Sequence, residues 1–176
     1  MLLFLDVDGP LIPFGAADRA YPVHDGPSVP AADAPWPPGP RPAAPSPVHV
    51  GHPLPARVDP ALGPRLAGLG CELVWATTWM DEANAALAPW LGLPELPVVQ
   101  WPDEDEPPGP LHWKTRPLVA WAAGRPFIWV DDEITGADRS WTAAHHPGPA
   151  LLHRVDHRYG LTEADFRVLE DWPAAV

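Results

Sequence analysis

The chain has 176 residues, 46 % of them apolar and ten of them tryptophan, enough for one domain to bury a core without cross-links. Its single cysteine, Cys71, excludes an internal disulfide and a cysteine-built zinc site, and a formal net charge of −12 argues against general affinity for nucleic acid, which rests on Lys and Arg neutralising phosphates. No stretch approaches the ~20 apolar residues that span a bilayer, and the five opening apolar residues run straight into Asp6, unlike a signal peptide, so a soluble protein of the reducing cytoplasm is expected.

The first predicted strand, residues 2–6, is continuously apolar, as strands buried on both faces are. It runs into Asp6-Val7-Asp8-Gly9-Pro10-Leu11. In extended chain, residues two apart point to the same side. Asp6 and Asp8 would therefore project together from the strand's C-terminal end, where open α/β sheets place their ligands. Two carboxylates so close repel unless a cation or a shared proton compensates. Mg²⁺ is the natural candidate, being hard and oxygen-seeking, and a carboxylate can itself accept a phosphoryl group. Asp-x-Asp-Gly also occurs in calcium loops and ordinary turns, so its meaning depends on the rest of the chain.

Residues 10–64 carry 16 of the 28 prolines. Proline at this density forbids long helices and interior strands. Val48-His49-Val50 is a candidate short strand within the stretch. Two readings fit residues 13–58: an unstructured insertion, or a lid over the carboxylates it leaves from.

A helix over 60–69 then leads to a second strand, 72–76, which ends in Thr77-Thr78. Hydroxyl and backbone N–H groups at a strand-to-helix junction can bind an anion. A threonine there can equally cap the helix. We assign the cap to Thr78 and the anion contact to Thr77, keeping both as candidate phosphate contacts. The helix spans 78–91, with Pro89 expected to end or kink it. A third strand is predicted over 97–101, and Asp103–Glu106 reads as a solvated acidic turn. Lys114 opens the next helix, 115–123, where a cation opposes the macrodipole. Local structure gives it no reason to be there, whereas a carboxylate, a phosphate or both would. Arg116 is a lesser candidate for that role.

The fourth strand, 126–130, ends in Asp131-Asp132, and acids directly after a buried strand are costly unless paired or metal-bound. A helix over 136–145 and a fifth strand over 150–155 follow. The last helix opens on a capping-box pair, Thr162 and Asp165, with Leu161 and Phe166 as a hydrophobic staple and Phe166, Leu169 and Trp172 on its buried face. Strands alternating with helices predict an α/β fold with a Rossmann-like, doubly wound parallel sheet. The eight histidines lack metal-ligating spacing and read as surface or structural. The tryptophans at 75, 79, 113 and 129 read as core and pocket wall, with base stacking as the alternative.

Asp-x-Asp after the first strand, Thr after the second, Lys before the fourth and Asp-Asp after it: in this order the four motifs resemble the haloacid dehalogenase-like (HAD) superfamily of phosphohydrolases, over residues 2–133. A response-regulator receiver uses similar residues in a different order. The pieces Asp6–Leu11, Trp75–Trp79, Trp129–Glu133 and Gly160–Thr162 are similar to the HAD domains of predicted bacterial RNA-repair proteins.

The resemblance implies a strand order of 3-2-1-4-5 in a single domain over 1–176. The Pro-rich insert would stand in place of a folded cap, leaving the site open to larger substrates. It implies Asp6 as the nucleophile that forms an aspartyl-phosphate. Asp8 would protonate the leaving oxygen and then activate water. Thr77 and Lys114 would hold the phosphoryl group. Mg²⁺ would be bound by Asp6, Asp132 and the carbonyl of Asp8, with Asp131 supporting Lys114 or the metal's water shell. The substrate would be phosphorylated, a small molecule or a nucleic-acid end. The alternative is a HAD-fold binding or regulatory protein without turnover, against which the intact Asp6, Asp8, Lys114 and Asp132 speak.

Overall fold

The computed structural model describes residues 1–18, 20–25, 54–102 and 109–172. The candidate strand at Val48–Val50 and the acidic turn at 103–106 lie outside them. Four of the expected strands form: β1 (Leu2–Leu5), β2 (Glu72–Trp75), β3 (Phe127–Asp131) and β4 (Ala150–Arg154). All pairs are parallel, in the order β2-β1-β3-β4. The helices are α1 (Leu62–Gly68), α2 (Asp81–Leu91), α3 (Thr115–Ala122), α4 (Gly136–His145) and α5 (Glu163–Asp171).

The unbroken apolar runs explain the layering, because alternate residues of one strand serve opposite cores. Leu3, Leu5, Trp75, Ile128 and Val130 pack with Leu66 of α1, Leu87 of α2 and Phe166 of α5. Leu2, Phe4, Val74, Phe127 and Trp129 pack with Leu118 and Ala122 of α3. Both Leu161 and Phe166 are buried, as the staple requires, and Thr162 and Asp165 close the expected capping box.

Two local expectations need correction. The strand predicted over 97–101 is reduced to one parallel bridge between Trp75 and Val98. Trp75 N donates to Pro97 O and Val99 N donates to Trp75 O, so the segment lies where an edge strand would. Pro97 has no N–H to donate to β2, which stops the ladder on that side, and on the other side the Thr77 carbonyl accepts from the Trp101 side chain, through Nε1. Pro89 does not end α2. The helix continues to Leu91, and Gly92, at φ 66°, terminates it in the left-handed conformation.

Because β2 and β3 flank β1 on opposite sides, the chain changes direction of winding between β1 and β3. The crevice outside the C-terminal ends of these two strands is where such sheets bind ligands.

Candidate active site

Asp6 is the first residue past β1, Asp131 the last of β3, and Asp132 the next. The pairing of Leu5 with Val130 sets Asp6 beside Asp131 at the switch point. Lys114, in the N-cap position of α3, reaches between them: its Nζ lies 2.8 Å from Asp6 Oδ2 and 2.9 Å from Asp131 Oδ2. All three side chains are buried, with Asp131 fully so. The cation that opposes its helix dipole thus has its anionic partners, two carboxylates from adjacent strands.

Further bonds fix these groups. Asp6 Oδ1 accepts from Val7 N at 2.9 Å. Asp131 Oδ2 also accepts from Trp129 Nε1, and its Oδ1 accepts from Glu133 N. Asp132 is held through its carbonyl, which accepts from Arg154 Nε at 2.8 Å. Its carboxylate lies against Gly9, where a Cβ would come 2.5 Å from Asp132 Cγ; Gly9 also has φ +86°. Only glycine lets the loop after β1 and the end of β3 approach so closely.

Carboxylate oxygens of Asp6, Asp131 and Asp132 all lie within 4.8 Å of one another. With every group ionised, these three charges against one ammonium leave an excess of two negative charges, which a divalent cation would cancel. Oxygen donors with no thiolate or imidazole among them suit Mg²⁺. Without a cation, burial pushes Asp6 up to about 7 against the pull of Lys114, and burial and the neighbouring Asp131 raise Asp132. Burial alone would weaken the hold of Lys114 on its proton, but Asp6 and Asp131 outweigh it and keep Lys114 above its ordinary value.

Asp8 is half-buried in the loop after β1, and its Oδ2 accepts from Trp79 Nε1 at 3.0 Å. Thr77 is buried; its Oγ1 accepts from Trp79 N, and its carbonyl from Trp101 Nε1. Thr78 is exposed and does not cap α2, correcting that expectation. The helix starts at Asp81, after Met80 at φ 50°. Residues 77–80 instead form the turn that carries the Trp79 indole back to Asp8.

The family model described as "HAD domain in Swiss Army Knife RNA repair proteins" matches residues 2–166. The chain belongs to this family. No curated protein and no solved structure matches it. It is therefore a HAD-type hydrolase domain. No helix among the described residues is long and apolar enough to cross a membrane.

Several residues around the HAD motifs were not singled out by sequence reasoning. Asp138, fully buried, accepts from His112 N, Thr115 Oγ1, and both N and Oγ1 of Thr135. It thereby braces both sides of Lys114. The spacing Thr135-x-x-Asp138 is a capping-box signal that could have found it. His112 Nδ1 accepts from Lys114 N, and its Nε2 lies 3.0 Å from Glu133. His157, read as surface or structural, stacks on Phe14 and sits 3.9 Å from Asp132 Oδ2. No local pattern marks either histidine. The Gly160 piece does have a physical reason: at φ +69°, a Cβ there would meet Pro10 O at 3.0 Å, and Leu161 N donates to that same carbonyl.

Proposed function

We propose that this domain is a Mg²⁺-dependent phosphohydrolase that works through an aspartyl-phosphate on Asp6. The observation that carries the reading is the Lys114 bridge between Asp6 and Asp131 at the β1/β3 switch point, with Asp132 beside it. Asp6, Asp132 and the Asp8 carbonyl would hold the metal. Asp131, whose oxygens already accept from Lys114, Trp129 and Glu133, positions Lys114 and at most touches the metal's water shell. When bound, Mg²⁺ would neutralise charge on the acids and on the phosphoryl oxygens.

In the first step an Asp6 oxygen attacks phosphorus, the bond to the leaving oxygen breaks, and Asp8 gives that oxygen its proton. In the second step Asp8 takes a proton from water, whose oxygen attacks the acyl phosphate. The bond between phosphorus and Asp6 breaks, and inorganic phosphate leaves. Lys114 and Thr77, with Thr78 at the mouth, would hold the phosphoryl oxygens while charge moves. Trp79 fixes the Asp8 carboxyl for both transfers.

The family's description as part of RNA repair proteins supports a terminal phosphate of a nucleotide or nucleic acid as the substrate. The Pro-rich insert at 13–58, in place of a folded cap, would leave the mouth open to such an end.

The test is phosphate release from nucleotides, 3′- and 5′-phosphorylated oligonucleotides, sugar phosphates and a phosphopeptide, with and without Mg²⁺. Mg²⁺-dependent release that Asp6→Asn abolishes is the expected outcome. No release from any substrate would sink the reading.

A further inference from the structure

Of the four tryptophans that flank the motifs, three are accounted for by burial or by bonding. Trp75 and Trp129 are buried, and Trp79 is tied to Asp8. Trp113 differs: it is 41 % exposed, although it directly precedes the buried Lys114. Its ring is held in place. The Trp101 ring meets it edge-on, with centroids 4.7 Å apart, and Trp101 is itself anchored through Nε1 to the carbonyl of Thr77. The His112 ring lies 5.5 Å away on the same loop. Lys114 Nζ, the group between Asp6 and Asp131, lies 5.5 Å from the Trp113 ring centroid.

An exposed indole leaves apolar surface in water, and a rigid one loses little freedom on stacking. Such rings are platforms for planar ligands, and every nucleobase has a π-face to offer. We propose that Trp113 is the platform on which the base of the terminal nucleotide stacks while its phosphate sits at Asp6 and Lys114. This rests on the phosphohydrolase reading above and names its substrate class as a nucleoside phosphate.

The charge balance adds a second feature. A chain of net charge −12 offers little to a polyanionic backbone. Recognition therefore depends on the one stacked nucleotide, with weak dependence on salt and on oligonucleotide length.

Binding tests this without requiring turnover. Calorimetry on Asp6→Asn protein with Mg²⁺ would compare a nucleoside monophosphate with ribose 5-phosphate. The nucleotide should bind at least about tenfold more tightly, a gap within what one base–aromatic stack supplies. Trp113→Ala should erase the gap and leave ribose 5-phosphate unchanged, while Trp113→Phe should keep most of it. Equal affinity for the two ligands, or a gap that survives Trp113→Ala, would overturn the platform. Failure of the phosphohydrolase reading shows separately, as no phosphate release by wild-type protein from either compound.

Discussion

Two helices of this domain begin with the same four-residue device and use it differently. At α4, Thr135 and Asp138 close a capping box, and at α5 Thr162 and Asp165 close another. Asp165 stays near the surface, where its other oxygen meets His153 Nε2 at 2.8 Å. Asp138 is fully buried, and the same spare oxygen accepts from His112 N and Thr115 Oγ1, the residues that frame Lys114. The α5 box therefore ends a helix, whereas the α4 box also holds the loop that aims a buried cation at two carboxylates. Local sequence specifies the cap in both places; only the packing of α3 on α4 turns one into part of a site.

The largest expected effect comes from removing what the α4 box supports. Lys114→Met strands Asp6 and Asp131, both buried, and should lower stability by ~3–5 kcal/mol in metal-free protein, read by urea unfolding. Turnover should fall by about 10²–10³-fold, as when one preorganised charge-stabilising donor is lost. An active Lys114→Met would break the link between α4 and catalysis at its end point.

Next is the box itself. Asp138→Ala leaves buried donors of His112, Thr115 and Thr135 without their acceptor, which should cost roughly 2–4 kcal/mol. It should also lower kcat by roughly tenfold, because Lys114 loses its frame. An Asp138→Ala protein with full kcat would reduce the α4 box to a helix cap and nothing more.

How much of this was legible in the sequence follows from which interactions are local. Strands β1 to β4, the staple of α5 and the carboxylates at the strand ends are written in short contiguous patterns, and each is found in place. The 97–101 segment reads as a strand from its apolar run, although the missing N–H of Pro97 limits the ladder whatever its neighbours are. Thr78 stands where a cap would, but residues 77–80 are used to bring Trp79 to Asp8, 71 positions away. Asp138 escaped because its bonds to His112 and Thr115 span 26 and 23 positions. Lys114 announced a missing anion, yet nothing local says that Asp6 and Asp131 supply it together.

A smaller effect is expected with pH. Burial raises Asp6 from 3.8 to about 7 without metal, so the folded chain holds this proton better than the unfolded one. That contribution is fully present below 3.8 and is lost as pH rises through about 7. Mg²⁺ must displace the same proton, so its stabilising effect on Tm should grow from acid pH toward about 7 and level off above it. Asp138→Ala should weaken this Mg²⁺ response, and Asp165→Ala should leave it alone. A Tm response flat with pH would mean that Asp6 is not a ligand.

The smallest effect belongs to α5. Asp165→Ala removes an ordinary cap and should cost about 1 kcal/mol, with kcat unchanged. Hydrogen bonds from Thr162 and His153 outweigh burial and hold this carboxyl below its usual 3.8, and Thr115 and Thr135 do the same for Asp138. Both contributions are present above that value and are lost as pH falls below it, so acid unfolding of either variant should be less steep than that of the wild type. A kcat loss in Asp165→Ala equal to that in Asp138→Ala would erase the distinction between the two boxes.

The central claim is that Asp6 carries the phosphoryl group. It is tested most directly by acid-quenching the Asp8→Asn protein with Mg²⁺ and an aryl phosphate, whose leaving oxygen needs no proton. Without its base for the second step, that protein should accumulate one phosphoryl group on the peptide containing Asp6, seen by mass spectrometry and absent when Asp6→Asn is added. Aryl phosphate cleaved at the wild-type rate with no phosphoryl group on that peptide would contradict the account.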